Sequence, residues 1–171
     1  MKARSHSTLS HRSNQLSLLS PLFHHIFHSV SPANLQYYPH FQFATTTTAV
    51  ASYLPNDLDQ EQTVFLIVEY QREDQDFGQT IEVLGQSVNN LMAANQKNAQ
   101  YLGLAVGFQS TEKIQYSLYL ILDSVMPDNL IRILVRRGVA TPQNDDLTHL
   151  ILSLATAGLY AQHSHETLNM M

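Results

Sequence analysis

The sequence predicts an α+β fold, in which a mostly antiparallel sheet made of two hairpins carries its helices on one side. Three observations lead there: two pairs of apolar segments typical of strands, one long helical repeat between the pairs, and further helical segments after the second pair. The predicted element order is α-β-β-α-β-β-α-α. We expect a single domain over residues 36–162, between a basic tail with a first helix in residues 1–35 and a frayed terminus at 163–171.

The first predicted hairpin lies between residues 41 and 71. Phe41, Phe43 and Thr45 alternate with smaller or polar residues in a threonine-rich, β-branched stretch, which is typical of a half-buried strand. Pro55, Asn56 and Asp57 then supply turn residues. The segment "TVFLIVEY" that follows is continuously apolar, as expected of a central strand covered on both faces.

A long helix is predicted after this hairpin, with Asp76 and Gln79 placed as a capping box at its start. Its apolar positions repeat at steps of four and three, at Phe77, Ile81, Leu84, Val88, Leu91, Met92 and Asn95. "YLGLAVGF" and "IQYSLYLILD" then alternate as a second hairpin, and glycines on one face of the first strand let the helix approach closely. Two helices complete the chain: a short one at "NLIRILVRR" and a last one capped within residues 144–146.

The first 56 residues contain no Asp or Glu, six of the nine histidines, and a predicted helix from Leu22 to Val30. We interpret the start of the chain as a flexible tail leading into that helix, and the protein as cytoplasmic; an organelle-targeting segment within residues 1–30 is the alternative. His24 and His28 have the spacing of a helical metal pair, but the segment has no carboxylate to complete a site. A half-buried helix with a polar rim is the favoured interpretation, and no metal is predicted.

Composition narrows the classes of function. With 44% apolar residues and no cysteine, the chain is expected to fold without disulfides or thiolate metal sites, and no cofactor is predicted. No apolar run reaches the roughly 18 residues that span a bilayer, so membrane insertion is not expected. From residue 57 onward 14 acidic residues face six Lys or Arg, a balance of −8, which disfavours nucleic acid. Only Arg132, Arg136 and Arg137 come close to a basic cluster.

No catalytic motif occurs: there is no P-loop, dinucleotide fingerprint, nucleophile elbow or zinc-protease motif. The one arguable site is Glu69 with Gln71 at the end of a strand, which faintly resembles the E-x-Q element of PD-(D/E)xK nucleases. The upstream acids that would complete a metal pair, Asp57 and Asp59, lie in a predicted turn, and no lysine follows. A solvated strand end is the favoured interpretation, so the protein is predicted to be non-enzymatic, with a metal-dependent nuclease as the alternative.

The second half of the chain resembles a known family of binding proteins. "VLGQSVNNLMAAN", "YLGLAVGF" and "KIQYSLYLILDSVMPDNLIRIL" are similar to the small acidic type III secretion chaperones of the Tir-chaperone family and to the related YbjN-like proteins. The likeness spans residues 64–160. It includes a helix that ends in an "LL-x-x-N" pattern, here Leu91 to Asn95, and a second strand that runs into a corner at residues 122–126.

The resemblance implies a protein that holds an extended segment of a partner polypeptide, such as a secreted protein, against apolar strands. The residues expected to contact the partner are Phe41, Phe43, Val64, Leu66, Leu104 and Val106. Those expected in dimer or packing contacts are Leu118, Leu120, Leu91, Met92 and Asn95.

A homodimer is predicted because the apolar strands would leave one sheet face wet. The competing explanation is that the segment containing Leu22, Phe23, Ile26 and Phe27 folds back over that face.

Overall fold

The computed structural model of the chain describes residues 19–31, 35–43, 46–53, 63–95, 100–110, 112–123, 130–141 and 143–169. These ranges contain three helices and six strands. In chain order they are α1 (Leu19–Val30), β1 (Leu35–Phe43), β2 (Thr46–Tyr53), β3 (Thr63–Tyr70), α2 (Phe77–Asn95), β4 (Gln100–Ser110), β5 (Lys113–Asp123), β6 (Leu130–Ala140) and α3 (Asp146–Asn169).

The six strands form one sheet whose spatial order follows the chain, from β1 to β6. Every neighbouring pair is antiparallel except β3 and β4, which are parallel and joined by the crossover helix α2. The sheet therefore consists of two three-stranded antiparallel units side by side. The predicted α+β class and the mostly antiparallel sheet are confirmed.

Each half of the sheet has one more strand than the sequence predicts, so the element order is α-β-β-β-α-β-β-β-α. The predicted first strand is two strands, β1 and β2, which pair across residues 43 and 46 where no glycine, proline or asparagine signals a turn. The segment predicted as the short helix "NLIRILVRR" is strand β6, paired with β5 along its whole length. The final helix is single and continues to Asn169, past the point where fraying was expected.

The helices occupy both faces of the sheet. The terminal helices α1 and α3 share one side, where Leu66, Val68 and Leu104 belong to their hydrophobic cluster; we call this side the terminal-helix face. The central helix α2 packs on the opposite side, the crossover-helix face, against Ile67 and Ala105. Residues of β3 thus contribute to both clusters, which explains why its sequence is continuously apolar, as predicted.

Helix α1 is part of this folded domain. Phe23 and Phe27 are fully buried, and the ring of Phe23 stacks on that of Tyr37 in β1 with centroids 5.0 Å apart. The segment thus does fold back over the sheet, with Ile26 also buried and Leu22 at the margin of the cluster. Its exposed side carries His24, His25 and His28.

Helix α2 begins and packs as its sequence predicts. The Gln79 amide donates to Asp76 Oδ1 at 2.7 Å and the Asp76 amide donates to Gln79 Oε1 at 2.8 Å, which is the reciprocal pattern of a capping box. A Cβ atom at Gly103 would lie 3.1 Å from Leu84 of this helix and 2.8 Å from Ile121 of β5. Glycine on this face of β4 therefore lets the helix approach the sheet, as expected.

Candidate partner-binding edge

Strand β6 lies at one edge of the sheet and exposes an unusual amount of apolar surface. Ile131, Ile133, Leu134 and Val135 are exposed by 49%, 47%, 46% and 55% respectively. Within the described residues, the other large apolar side chains exposed to this degree are Leu152 and Tyr160, both on α3. Four exposed apolar residues within five positions of one strand are more informative than scattered single residues, because clustered apolar exposure marks interaction sites.

The pairing of β6 with β5 places these side chains on definite faces. Ile131 and Ile133 lie opposite Leu122 and Leu120, which are half-buried on the terminal-helix face. Leu134 lies opposite Tyr119 on the crossover-helix face. Val135 is the extra residue of a bulge in the ladder. We call this surface the apolar edge: Leu120, Leu122, Ile131, Ile133, Leu134 and Val135.

The terminal helices cover only the far end of β6. Ala140 is buried in the same cluster as Leu147 of α3, whereas Ile131 and Ile133 at the start of the strand belong to neither described cluster. The exposure of the apolar edge therefore has a clear structural origin: the covering helices pack over the other end of this strand.

Strand β6 also concentrates positive charge in an acidic chain. Arg132, Arg136 and Arg137 are all exposed and the strand carries no acidic residue, although the whole protein has a net charge of −5. The Arg132 Nη1 atom donates to the Ile81 carbonyl of α2 at 3.4 Å. Among the described residues, no acidic side chain is paired with Arg136 or Arg137. The edge thus combines exposed apolar side chains with exposed cationic groups.

The partner-binding residues predicted from the sequence lie mainly in the core. Val64, Leu66, Leu104 and Val106 are all buried, the last three beneath the terminal helices. Phe41 is half-buried and packs beside the crossover-helix cluster, while the side chain of Phe43 falls outside the described residues. The predicted surface is therefore covered in this structure, because helices occupy both faces of the central strands.

The residues predicted for dimer or packing contacts separate into two groups. Leu91 and Met92 are buried on α2, Leu118 is buried on β5, and Asn95 ends α2 as expected. The three buried residues pack in the core of the domain. Leu120 differs, because it is half-buried beside Ile133 and so forms part of the apolar edge.

Glu69 and Gln71 both make hydrogen bonds to neighbouring elements at the end of β3. Glu69 is buried and accepts a hydrogen bond of 2.7 Å from the Ser87 hydroxyl of α2. Gln71 accepts from the Phe108 amide at 3.0 Å and donates to the Gln75 carbonyl at 2.8 Å. These bonds tie the end of β3 to α2, to β4 and to the following loop.

The remaining nuclease residues, Asp57 and Asp59, lie outside the described part of the chain. Where the chain is described, no group of three or more His, Asp or Glu side chains is arranged to hold a metal ion. The rings of His24 and His28 stack with centroids 6.1 Å apart on the exposed side of α1.

A pair of tyrosines lies beneath α1, with Tyr37 buried and Tyr70 half-buried. The hydroxyl groups of Tyr37 and Tyr70 are 2.8 Å apart, and Ser20 of α1 hydrogen-bonds to both. Burial is the largest cause that raises the pKa of Tyr70, and the neighbouring Tyr37 raises it further. Burial also raises the pKa of Tyr37, against the opposing effect of its hydrogen bonds to Tyr70 and Ser20. The cluster attaches α1 to β1 and β3 by polar contacts.

Neither the apolar edge nor the tyrosine pair was predicted as a site from the sequence. One signal for the edge was present: Ile131, Ile133 and Val135 are β-branched and alternate with other residues, as in a strand. The tyrosine pair joins residues 33 positions apart, and no local pattern predicts such a contact.

No helix in the described ranges has the length and apolar character needed to cross a membrane. Comparison of the chain with protein-family models, with curated proteins and with solved structures finds no match.

Proposed function

We propose that the protein is a non-enzymatic binding module that holds a segment of another polypeptide on the apolar edge. The observation that carries this proposal is the exposure of Ile131, Ile133, Leu134 and Val135 along one edge strand. Edge strands with exposed apolar side chains pair readily with other chains, and natural proteins usually avoid them. Their presence here supports a surface that a partner covers.

A chaperone or adaptor is the form of this function that fits the sequence best. The resemblance to type III secretion chaperones supports a protein whose task is to keep an extended partner segment bound to strands. The apolar edge lies within the stretch that carries the resemblance, residues 64–160. The topology departs from the resemblance at one point, since β6 stands where a helix was expected to begin.

The expected homodimer is now proposed at one surface only, the apolar edge. Its motive was an uncovered sheet face, and in the described structure α1 and α3 lie on one face while α2 lies on the other. The apolar edge is what remains for a second copy to cover. A homodimer formed through β6 would compete with any other partner of this strand.

Co-precipitation from the native host, followed by mass spectrometry, tests the proposal with two matched variants. Ile133→Thr removes apolar surface from the edge while keeping a β-branched residue. Leu152→Gln changes an equally exposed apolar residue on α3, since both side chains are 47% exposed, and keeps a good helix former. We expect one or more polypeptides to be captured by the wild-type chain and by Leu152→Gln but to be lost with Ile133→Thr.

Two results would overturn the proposed function. One is a set of captured polypeptides that is the same for all three chains, which would mean that the apolar edge is not the binding surface. The other is the absence of any polypeptide above background together with a melting temperature that rises when a small molecule is added. Circular dichroism of both variants checks that each remains folded.

A further inference from the structure

We infer that the segment bound at the apolar edge is an extended chain in which acidic and apolar residues alternate, added to β6 as a seventh strand. The inference rests on the proposed function and deepens it by naming the chemistry of the partner. Three features of β6 lead to it: its unpaired backbone edge, the face on which each side chain lies, and its arginines.

The backbone of β6 is available along one side. The strand is eleven residues long, contains no proline and is the last strand of the sheet. Because it pairs with β5 on one side only, every second residue directs its N–H and C=O groups away from the sheet. Within the described residues no other strand meets these groups. An added strand would satisfy them in the way that peptide ligands extend a sheet.

The side chains of β6 specify what would lie beside them. Paired residues of adjacent strands share a face, so Ile131 and Ile133 lie with Leu122 and Leu120 on the terminal-helix face. Arg132 and Arg137 lie opposite Ile121 and Ser117, on the crossover-helix face. On the terminal-helix face an added strand would therefore meet Ile131 and Ile133, followed by Arg136 opposite Leu118. On the crossover-helix face it would meet Arg132 and Arg137 with Leu134 between them. The first face is thus mainly apolar and the second mainly positive. Since successive side chains of a strand alternate between faces, the matching sequence alternates apolar and acidic residues.

The same charges disfavour a second copy of this chain as the occupant. Twofold pairing of β6 with another β6 would place three arginines from each strand along one ladder, with no acidic residue on either strand. Like charges directly opposite in a sheet destabilise it. An acidic partner turns this repulsion into attraction, and the attraction weakens as salt is added. The arginines thus oppose self-association and favour an acidic segment.

Fluorescence anisotropy with a synthetic peptide tests the inference on the full chain. The probe is a labelled, blocked peptide of about eight residues, a usual strand length, in which glutamate alternates with valine or isoleucine. One comparison peptide has lysine in place of glutamate. A second keeps the glutamates but is N-methylated at alternate residues along one edge, which removes the amides needed for pairing. We expect the glutamate peptide to bind at least tenfold more tightly than either, and less tightly at higher salt.

Two pairs of variants locate the bound peptide. Arg137→Glu reverses charge on β6, and Arg72→Glu makes the same change at an exposed position before α2. We expect Arg137→Glu to weaken binding of the glutamate peptide about tenfold and Arg72→Glu to have little effect on this binding. Ile133→Thr should weaken binding about fivefold, whereas Leu152→Gln should leave it unchanged.

The outcomes separate this inference from the proposed function. Equal binding of the three peptides, or no binding of any, would overturn the inference; the arginines would then serve only to keep the edge from self-association. A dimer that dissociates in Ile133→Thr, with no binding of the glutamate peptide, would overturn it in favour of a second copy. If native polypeptides are still lost from Ile133→Thr in either case, the proposed function stands while the acidic-strand inference fails.

Discussion

The two edge strands of the sheet, β1 and β6, are protected in different ways. β1 packs beneath α1, so that Leu35 and Tyr37 are each only 3% exposed, and the strand is interrupted by Pro39 and by a register shift between Tyr38 and Phe41. Proline and irregular pairing are common means by which proteins close an edge to other chains. Helix α1 therefore covers β1 on the terminal-helix face, and Pro39 and the register shift limit its pairing with other chains.

β6 is protected in a different way. It contains no proline, and among the described residues neither terminal helix covers its first half. Its bulge at Val135 and its three arginines limit pairing with other chains. Charge limits association selectively, because it repels a strand of the same sign and attracts one of the opposite sign. The comparison therefore indicates that a covering helix, a proline and a register shift protect one edge of the sheet, whereas a bulge and positive charge protect the other.

The largest expected effect concerns the cover of β1. Phe27→Ala should lower the free energy of unfolding by about 3–5 kcal/mol, because it removes a fully buried ring that lies against Tyr37 and Phe65. Urea denaturation measures the change. Leu152→Ala is the control, and as an exposed position it should cost well under about 1 kcal/mol. If both variants lost the same small amount, α1 would not be the cover of β1 and the contrast between the edges would break down.

A middle-sized effect is expected from the tyrosine pair beneath α1. Tyr70→Phe removes the hydroxyl that contacts Tyr37 and should cost about 1 kcal/mol at neutral pH. The pKa of Tyr70 is raised in the folded protein, so its contribution to stability is complete below its unfolded pKa of about 10 and is lost as pH rises through the folded value. Stability of the wild type should therefore fall above about pH 10.

The slope with which stability falls at alkaline pH separates the contribution of the Tyr70 hydroxyl from that of the Tyr37 hydroxyl. Tyr70→Phe should show a shallower loss of stability at alkaline pH than the wild type, and Tyr37 and Tyr101, whose pKa values burial also raises, should account for the loss that remains. Denaturant midpoints measured across the alkaline range provide the comparison, and Tyr160→Phe, at an exposed position on α3, is the matched removal of a hydroxyl. If the free energy of unfolding fell with the same slope in Tyr70→Phe and in the wild type, ionisation of Tyr70 would not contribute to the loss of stability at alkaline pH.

The smallest effect on stability is expected at the apolar edge. Ile133→Thr should change the free energy of unfolding by no more than about 0.5 kcal/mol, because half of the side chain is already in contact with water. Ile67→Thr, the same substitution at a fully buried position of β3, should cost about 2 kcal/mol or more. A large loss of stability in Ile133→Thr would show that this side chain is covered within the domain, and β6 would then not differ from β1 in its exposure.

The elements that depend on local chemistry were predictable from the sequence. Helix α2 was predicted with its capping box at Asp76 and Gln79 and its end near Asn95, because periodicity and capping act within a few residues. The close approach at Gly103 followed from the absence of a side chain on one face of β4. The class of fold followed from these elements together.

What the sequence did not predict depends on contacts between distant residues. The segment after residue 129 has apolar residues at spacings that fit a short helix as well as a strand, and pairing with β5 decides between them. Val64, Leu66 and Leu104 have the composition of a binding surface, but helices from both ends of the chain cover two of them and α2 covers the third. Which strand is an edge is a property of the whole sheet, so the position of β6 at an edge became evident only from the strand order.

Site-specific photo-crosslinking in the native host tests the central claim most directly. A photoreactive amino acid is placed at position 133 on β6 in one chain and at position 36 on β1 in another, and mass spectrometry identifies both the captured polypeptide and the residues joined. The arrangement of the two edges predicts adducts to another polypeptide from position 133, through an extended segment, and none above background from position 36. Adducts from β1 alone, or equal adducts from both strands, would contradict the claim that β6 is the edge that binds.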